Sequence, residues 1–219
     1  MTGIDIGLLV AAALVLFVLT VTFMAVDWIM WLDPHWYSTM FDVIFIGGQG
    51  LGAIAFSIVI LGALAHVRPF SQAMTVTQLH DLGKLLLAFV MLWAYFSFSQ
   101  FLIIYSANLP EEIPFYLERF HGAWGWLSLA LAMFHFVLPF TLLLSADIKN
   151  RRKIMMVAAL VLAARAIDLI WHVGPMFHHE SAFPIHWMDV AALVGLGGIW
   201  LFAFARSLKT RAAVAYQDP

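Results

Sequence analysis

Six long apolar runs separated by short polar connections constrain this chain more than any other feature. A helix needs about 20 mostly apolar residues to cross a bilayer. Six stretches reach that length: Ile6–Val26, Phe41–Ala65, Gly83–Tyr105, Gly125–Ser145, Ile154–Val173 and Met188–Ser207. In hydrocarbon every backbone N–H and C=O must be satisfied within its own segment, which helices achieve and open sheets do not. The expected fold class is therefore all-α, a polytopic transmembrane helical bundle of about six spans, with residues 1–219 forming one transmembrane domain. Composition agrees. The chain is 63% hydrophobic and 11% charged, against about 45–50% and about 25% in soluble domains. A net charge of -2 is too small to argue for nucleic acid. No cysteine is present, which removes disulfides, thiolate zinc sites and iron–sulfur ligation. The first run has no basic segment before it and no clear small-residue cleavage site, so it reads as a retained span.

Charge sorts the connections. Arg68, Lys84, Lys149, Arg151, Arg152, Lys153, Arg206, Lys209 and Arg211 fall on one side of a six-span topology, nine of the eleven basic residues. Asp27, Asp33, Asp42, Glu111, Glu112, Glu118 and Glu180 fall on the other. The positive-inside rule then puts both termini in the cytoplasm. The acidic side is also rich in aromatics. Asp27–Met40 reads either as an interfacial anchor or as a docking surface for an outer partner. Asn108–Trp126, with two prolines and three glutamates, is too structured for a simple turn.

Charges inside the bilayer carry most of the functional information. One charged side chain at mid-membrane costs ~2.5–3.5 kcal/mol on insertion scales, so such groups face protein and find partners. In "VLAARAIDLIWHVGP", Arg165 and Asp168 are three residues apart and share a helix face, and His172 extends that face by four. His135 lies at the centre of the fourth run, one turn before Pro139, which removes a backbone hydrogen bond and bends the helix. Gln100 and Asp189 lie in the outer halves of their spans, and His66, His80, Asp81 and Lys84 at the cytoplasmic end. Ordered by depth, Asp189, Gln100, His172, Asp168, Arg165, His135, Lys84 and Asp81 have the chemistry of a proton path. The competing reading is helix–helix adhesion, since polar contacts between membrane helices are common and worth ~0.6 kcal/mol each.

Other motifs have plainer readings. Gly48-x-x-x-Gly52 and Gly195, Gly197 and Gly198 read as small-residue packing faces. Bis-histidine haem ligation lacks two histidines at one depth. Phe177–Ser181 holds adjacent histidines without a zinc-ligand spacing. No metal site and no tightly bound cofactor are expected.

The segments "FMAVDWIMWLDPHWYSTMFDVIF", "LHDLGKLLLAFVMLWAYFSFSQFLIIYSANLPEEIPFY" and "RAIDLIWHVGPMF" resemble the NrfD-type (polysulfide-reductase-like) membrane subunits of bacterial alternative complex III, a quinol:electron-acceptor oxidoreductase. The likeness is closest to the second, non-core copy of that subunit, the quinone-binding subunit 2 type. It runs from the end of the first span to the end of the fifth. Family members have about ten spans, so the chain looks like their C-terminal portion: a split gene, a shortened chain or a fragment. The resemblance implies the bacterial cytoplasmic (inner) membrane and partners comprising a second NrfD-type subunit, an iron–sulfur subunit and a multihaem cytochrome c. It implies a non-redox subunit that contributes a proton-translocation path and anchors extracytoplasmic redox subunits. Two alternatives stand beside it. One is direct quinol binding and oxidation, with His172, Asp168, Asp189 and Trp171 at the quinone. The other is a purely structural scaffold.

Overall fold

A computed structural model describes residues 6–67, 70, 76–145, 150–177 and 186–210. Arg68, Lys149, Glu180, Arg211 and the His178–Ser181 part of the histidine motif lie outside the described residues. The expected fold class holds. The described residues are helical without a strand, and six helical stretches are long and apolar enough to cross a membrane.

Helix α1, Ile6–Met24, runs on through a π-helical turn, Ala25–Ile29, and a 3-10 turn, Met30–Leu32. Helix α2 is Phe41–Leu64 and α3 is Val76–Ala107. A short surface helix α4, Pro114–Phe120, precedes α5, Gly122–Leu131. A π-helical segment, Ala132–Val137, joins α5 to α6, Leu138–Leu144. Helix α7 is Arg151–Val173, ending in a 3-10 turn at Gly174–Met176, and α8 is Trp187–Thr210.

The spans come out where the apolar runs predict them, but several helices are longer. Helix α3 starts seven residues before Gly83, because Val76–Leu82 continues the helix with polar side chains beyond the apolar run. Hydropathy stops at the first polar residues, whereas backbone hydrogen bonding does not. Helix α7 starts at Arg151 because Asn150 caps it, its side-chain oxygen accepting from the Arg152 N–H at 2.9 Å. The acidic connection Asn108–Trp126 contains α4. Its chain turns into α5 at Gly122, whose φ of +57° is a left-handed conformation that glycine adopts at no steric cost.

Helix α2 lies between α3 and α7 and supplies the centre of the bundle. Leu51, Ala55 and Ile58 of α2 meet Leu86, Val90 and Trp93 of α3 and Ile154, Ala158 and Val161 of α7. A second aromatic core joins the end of α1 to α4: Ala25, Trp36, Phe41, Phe45, Ile104, Phe115 and Tyr116. In the Asp27–Met40 segment the tryptophans divide. Trp28 and Trp31 are largely exposed. Trp36 is buried, stacks on Phe115 at 4.2 Å and donates to the Glu112 carbonyl at 3.2 Å. The segment therefore fastens to α4 through one ring and presents the other two outward.

Helix α8 buries no residue and meets the bundle through ring contacts of Trp200 and Phe204 with Phe56 of α2, at 5.1 and 5.2 Å. The glycine reading needs correcting here. A Cβ at Gly52, Gly195, Gly197 or Gly198 would meet nothing within 4 Å among the described residues, so these are not close-packing positions within the chain. Gly48 is one, but what approaches it is the Arg165 guanidinium, not a helix backbone.

Candidate functional site

The site grows from α7. Positions 165, 168 and 172 fall on one helix face, and that face is turned into the bundle: Arg165, Asp168 and His172 are all buried. Arg165 Nη1 donates to Asp168 Oδ2, forming a buried ion pair. From α3, the Trp93 Nε1–H donates to the same carboxylate oxygen at 3.3 Å. His172 Nδ1 lies 2.8 Å from the Asp168 carbonyl and 3.5 Å from Asp168 Oδ1. A carbonyl only accepts, so Nδ1 carries the hydrogen and the ring's basic lone pair is on Nε2. Phe41, Phe45 and Trp171 surround this imidazole, with ring centroids 5.7, 5.5 and 4.9 Å away.

His135 reaches the cluster through Trp93. The two rings are 4.0 Å apart, tilted by 36°. His135 is fully buried, and neither ring nitrogen has a hydrogen-bond partner among the described residues. Its local backbone follows from Pro139. Without an N–H, Pro139 cannot bond the carbonyl of residue 135, and its ring crowds that carbonyl. The chain widens into the π segment Ala132–Val137 and resumes α geometry at Leu138. Single π turns of this kind often mark functional positions.

Beside the cluster lies a cleft of about 590 Å³, within the usual range for small-molecule sites. Its wall is aromatic (Phe98, Phe101, Trp171), and its polar groups include Asp168, His172 and Ser97. Tyr95 and Phe98 at its margin are mostly exposed, so the cleft opens sideways between α3 and α5, towards the surface that lipid would cover. Gln100, on the same helix as Trp93 and Ser97, is buried with its Oε1 unpartnered among the described residues.

The remaining sequence-derived residues lie elsewhere. Asp81 and Lys84 pair at 3.0 Å on the surface of α3, with side chains 60% and 65% exposed. No hydrogen bond or ion pair among the described residues links them to Asp168. His66 is exposed. Asp189 accepts from the His186 N–H at 2.8 Å at the start of α8. It lines a separate cavity with Leu169 and Phe177, not the cleft at His172.

Two members escaped sequence reasoning. Trp93 looks like any aromatic of a membrane helix, and only its pairing with α7 gives it a role. Arg119 sits in the acidic connection, where a lone arginine between aromatics was the available signal. It is buried, and its three nitrogens donate to the carbonyls of Phe115 (2.8 Å), Trp171 (3.1 Å) and His172 (2.6 Å). Its guanidinium carbon lies 3.5 Å from the centre of the Phe115 ring. A cation at carbonyls of the last turn of α7 satisfies groups the helix leaves open and complements its dipole. Burial pulls the Arg119 pKa down to about 9, with Glu118 opposing, so it stays charged at neutral pH. Burial also raises the neighbouring Tyr116 phenol well above its usual value. Ser128 completes the clasp, donating to the Arg119 carbonyl at 2.9 Å and accepting from Trp171 Nε1 at 2.7 Å.

No protein-family model and no curated protein matches this sequence.

Proposed function

We propose that this multi-pass membrane protein is a subunit of a respiratory quinol:electron-acceptor oxidoreductase of the alternative complex III type, and that the Arg165–Asp168–His172 cluster exchanges protons within it. One observation carries the reading. Arg165, Trp93 and His172 converge on a single buried carboxylate, with the unpartnered His135 ring against Trp93. Adhesion between helices accounts for the Trp93 contact, worth ~0.6 kcal/mol, but not for the arginine, aspartate and histidine gathered on one buried face of α7. A buried carboxylate held by a guanidinium and flanked by one imidazole, with a second imidazole behind Trp93, is instead a place where a proton can be held, and the basic lone pair on His172 Nε2 gives that proton a further station on the side away from Asp168. The basic helix ends face the cytoplasm in this reading. Asp27, Trp28 and Trp31 face extracytoplasmic iron–sulfur and multihaem cytochrome c subunits, and a second NrfD-type subunit lies alongside in the inner membrane.

A specific observation favours a second reading, direct quinol binding. The cleft puts Trp171, Asp168 and His172 at one apolar wall open to the side. The ring of a quinol suits such a wall, and His172 would accept a proton from its hydroxyl. Asp189 has no part in this version. Asp168→Asn in the assembled, vesicle-reconstituted complex separates the readings. Preserved turnover with lost proton translocation supports the proton path. Loss of both, together with loss of quinone protection at the cleft, supports the quinol site. Unchanged turnover and unchanged translocation leave a scaffold and refute both.

A further inference from the structure

Away from the cluster, a cavity of about 620 Å³ runs along the seam between α6 and α7. Leu138, Leu142 and Ser145 line it from the α6 side, and Lys153, Met156 and Leu160 from α7. Both sets recur at intervals of three and four residues, so each is one helix face. The chemistry of the seam is graded along its length. Ser145 and Lys153 stand at one end, and the other lining residues are apolar. Lys153 is exposed, as are Leu142 at 41% and Met156 at 63%. The cavity therefore opens to the surface that lipid would cover, and its cation can be reached from outside. Lys153 and Leu160 are seven residues apart, about 10 Å along the helix axis. That compares with about 15 Å of hydrocarbon in one leaflet. The polar end also belongs to a basic stretch. Residues 145–154 carry Lys149, Arg151, Arg152 and Lys153 against Asp147 alone.

We infer that this seam binds one anionic phospholipid, with its phosphate at Lys153 and an acyl chain along Leu138, Leu142, Met156 and Leu160. The order of the seam is that of the lipid: a charge at the bilayer boundary with hydrocarbon directly beneath it. Basic pockets between membrane helices on the cytoplasmic side take anionic headgroups in this way. The positive-inside rule gives this end of the bundle to the cytoplasmic leaflet. The headgroup is net negative, because a zwitterion would bring its own cation to the first turn of α7, which already holds Arg151, Arg152 and Lys153. A free phosphate would use the lysine and leave the apolar walls uncovered. An apolar partner helix would cover the walls and leave the lysine without an anion from the ligand. The lipid fastens α6, which follows the π segment carrying His135, to α7, which carries Asp168. The site requires nothing of the respiratory assignment.

Native mass spectrometry of the full chain tests it, with release from nanodiscs holding equal amounts of phosphatidylglycerol and phosphatidylcholine with the same chains. Glycerol 3-phosphate, added separately, supplies the headgroup chemistry without the chains. Lys153→Gln removes the cation at the cavity. Lys209→Gln removes one from an exposed position on α8, away from the cavity. Met156→Trp fills the apolar part from a residue exposed enough to grow without disturbing the core, and Leu142→Trp fills the same space from α6. The expected result is one retained phosphatidylglycerol in preference to phosphatidylcholine. Its affinity falls about fivefold in Lys153→Gln, the worth of one basic residue near an anionic surface. It falls in both Trp variants and is unchanged in Lys209→Gln. No preference between the two lipids, equal losses in Lys153→Gln and Lys209→Gln, retention that survives both Trp variants, or glycerol 3-phosphate binding as tightly as the lipid would each overturn the inference. Hydrogen exchange along α7 separates loss of the site from loss of the fold.

Discussion

Asp168→Asn gives the sharpest test of the cluster's energetics, because it keeps the shape and removes the charge. The amide oxygen can still accept from Trp93 Nε1 and from Arg165, so the packing around residue 168 changes little. What changes is that Arg165, almost fully buried, loses its counterion. Breaking a buried pair from one side costs ~3–5 kcal/mol, since the surviving charge stays desolvated. An ordinary polar contact between membrane helices is worth ~0.6 kcal/mol, so the two descriptions differ several-fold. Arg165→Met combined with Asp168→Asn removes both charges and relieves the imbalance. Unfolding in bicelles, followed by steric trapping across α3 and α7, measures all four corners of the cycle. The expectation is a large loss for Asp168→Asn alone and recovery of about 2 kcal/mol or more in the double variant, a coupling typical of groups in one network. A single-variant loss below about 1 kcal/mol, with the double variant equal to the sum of its parts, would show that Arg165 finds its solvation elsewhere.

Three further substitutions probe the surroundings. Trp93→Phe keeps a ring against His135 and removes the bond to Asp168, so a loss of about 1–2 kcal/mol is expected, against about 3–5 for Trp93→Ala, both read from the same unfolding assay. Arg119→Leu leaves the Trp171 and His172 carbonyls without their donor. Amide exchange should rise over residues 171–177 while the α2–α3 core stays protected, and equal exchange in both regions would contradict the clasp. Gly48→Ala should cost about 1–3 kcal/mol through overlap with the guanidinium, and Arg165→Met should relieve most of it. Additive losses in that pair would mean that Gly48 is short of room for another reason.

Much of the architecture was legible from hydropathy, because only helices solve the backbone problem in lipid and each span announces itself by length. The Arg165–Asp168–His172 face was equally legible, since helical periodicity alone puts those side chains together and the cost of buried charge turns them inward. Depth along a span was a weaker guide. It put Asp81 and Lys84 in series with the cluster, whereas near the start of α3 they form an exposed surface pair. It put Asp189 beside His172, whereas α8 stands off the bundle and holds Asp189 in another cavity. Spacing also misread Gly48: the motif for close backbones accommodates an arginine. Trp93 and Arg119 were out of reach because their partners lie on other helices, 75 residues away for Trp93 and Asp168, and no local pattern encodes such a pairing.

The π segment before Pro139 has a consequence for how this protein tolerates change in length. A widened turn accommodates one residue beyond the α-helical count, and each residue of an α-helix advances the side chains by about 100°. Deleting a single residue between Ala132 and Val137 would let that stretch close into regular coil while α6 kept its phase. His135 would then swing about a quarter of the way round the axis, out from behind Trp93, with every side chain chemically intact. The imidazole is aimed by arithmetic, by one surplus residue in the count, and an insertion or deletion there would part it from Trp93 as surely as replacing the ring.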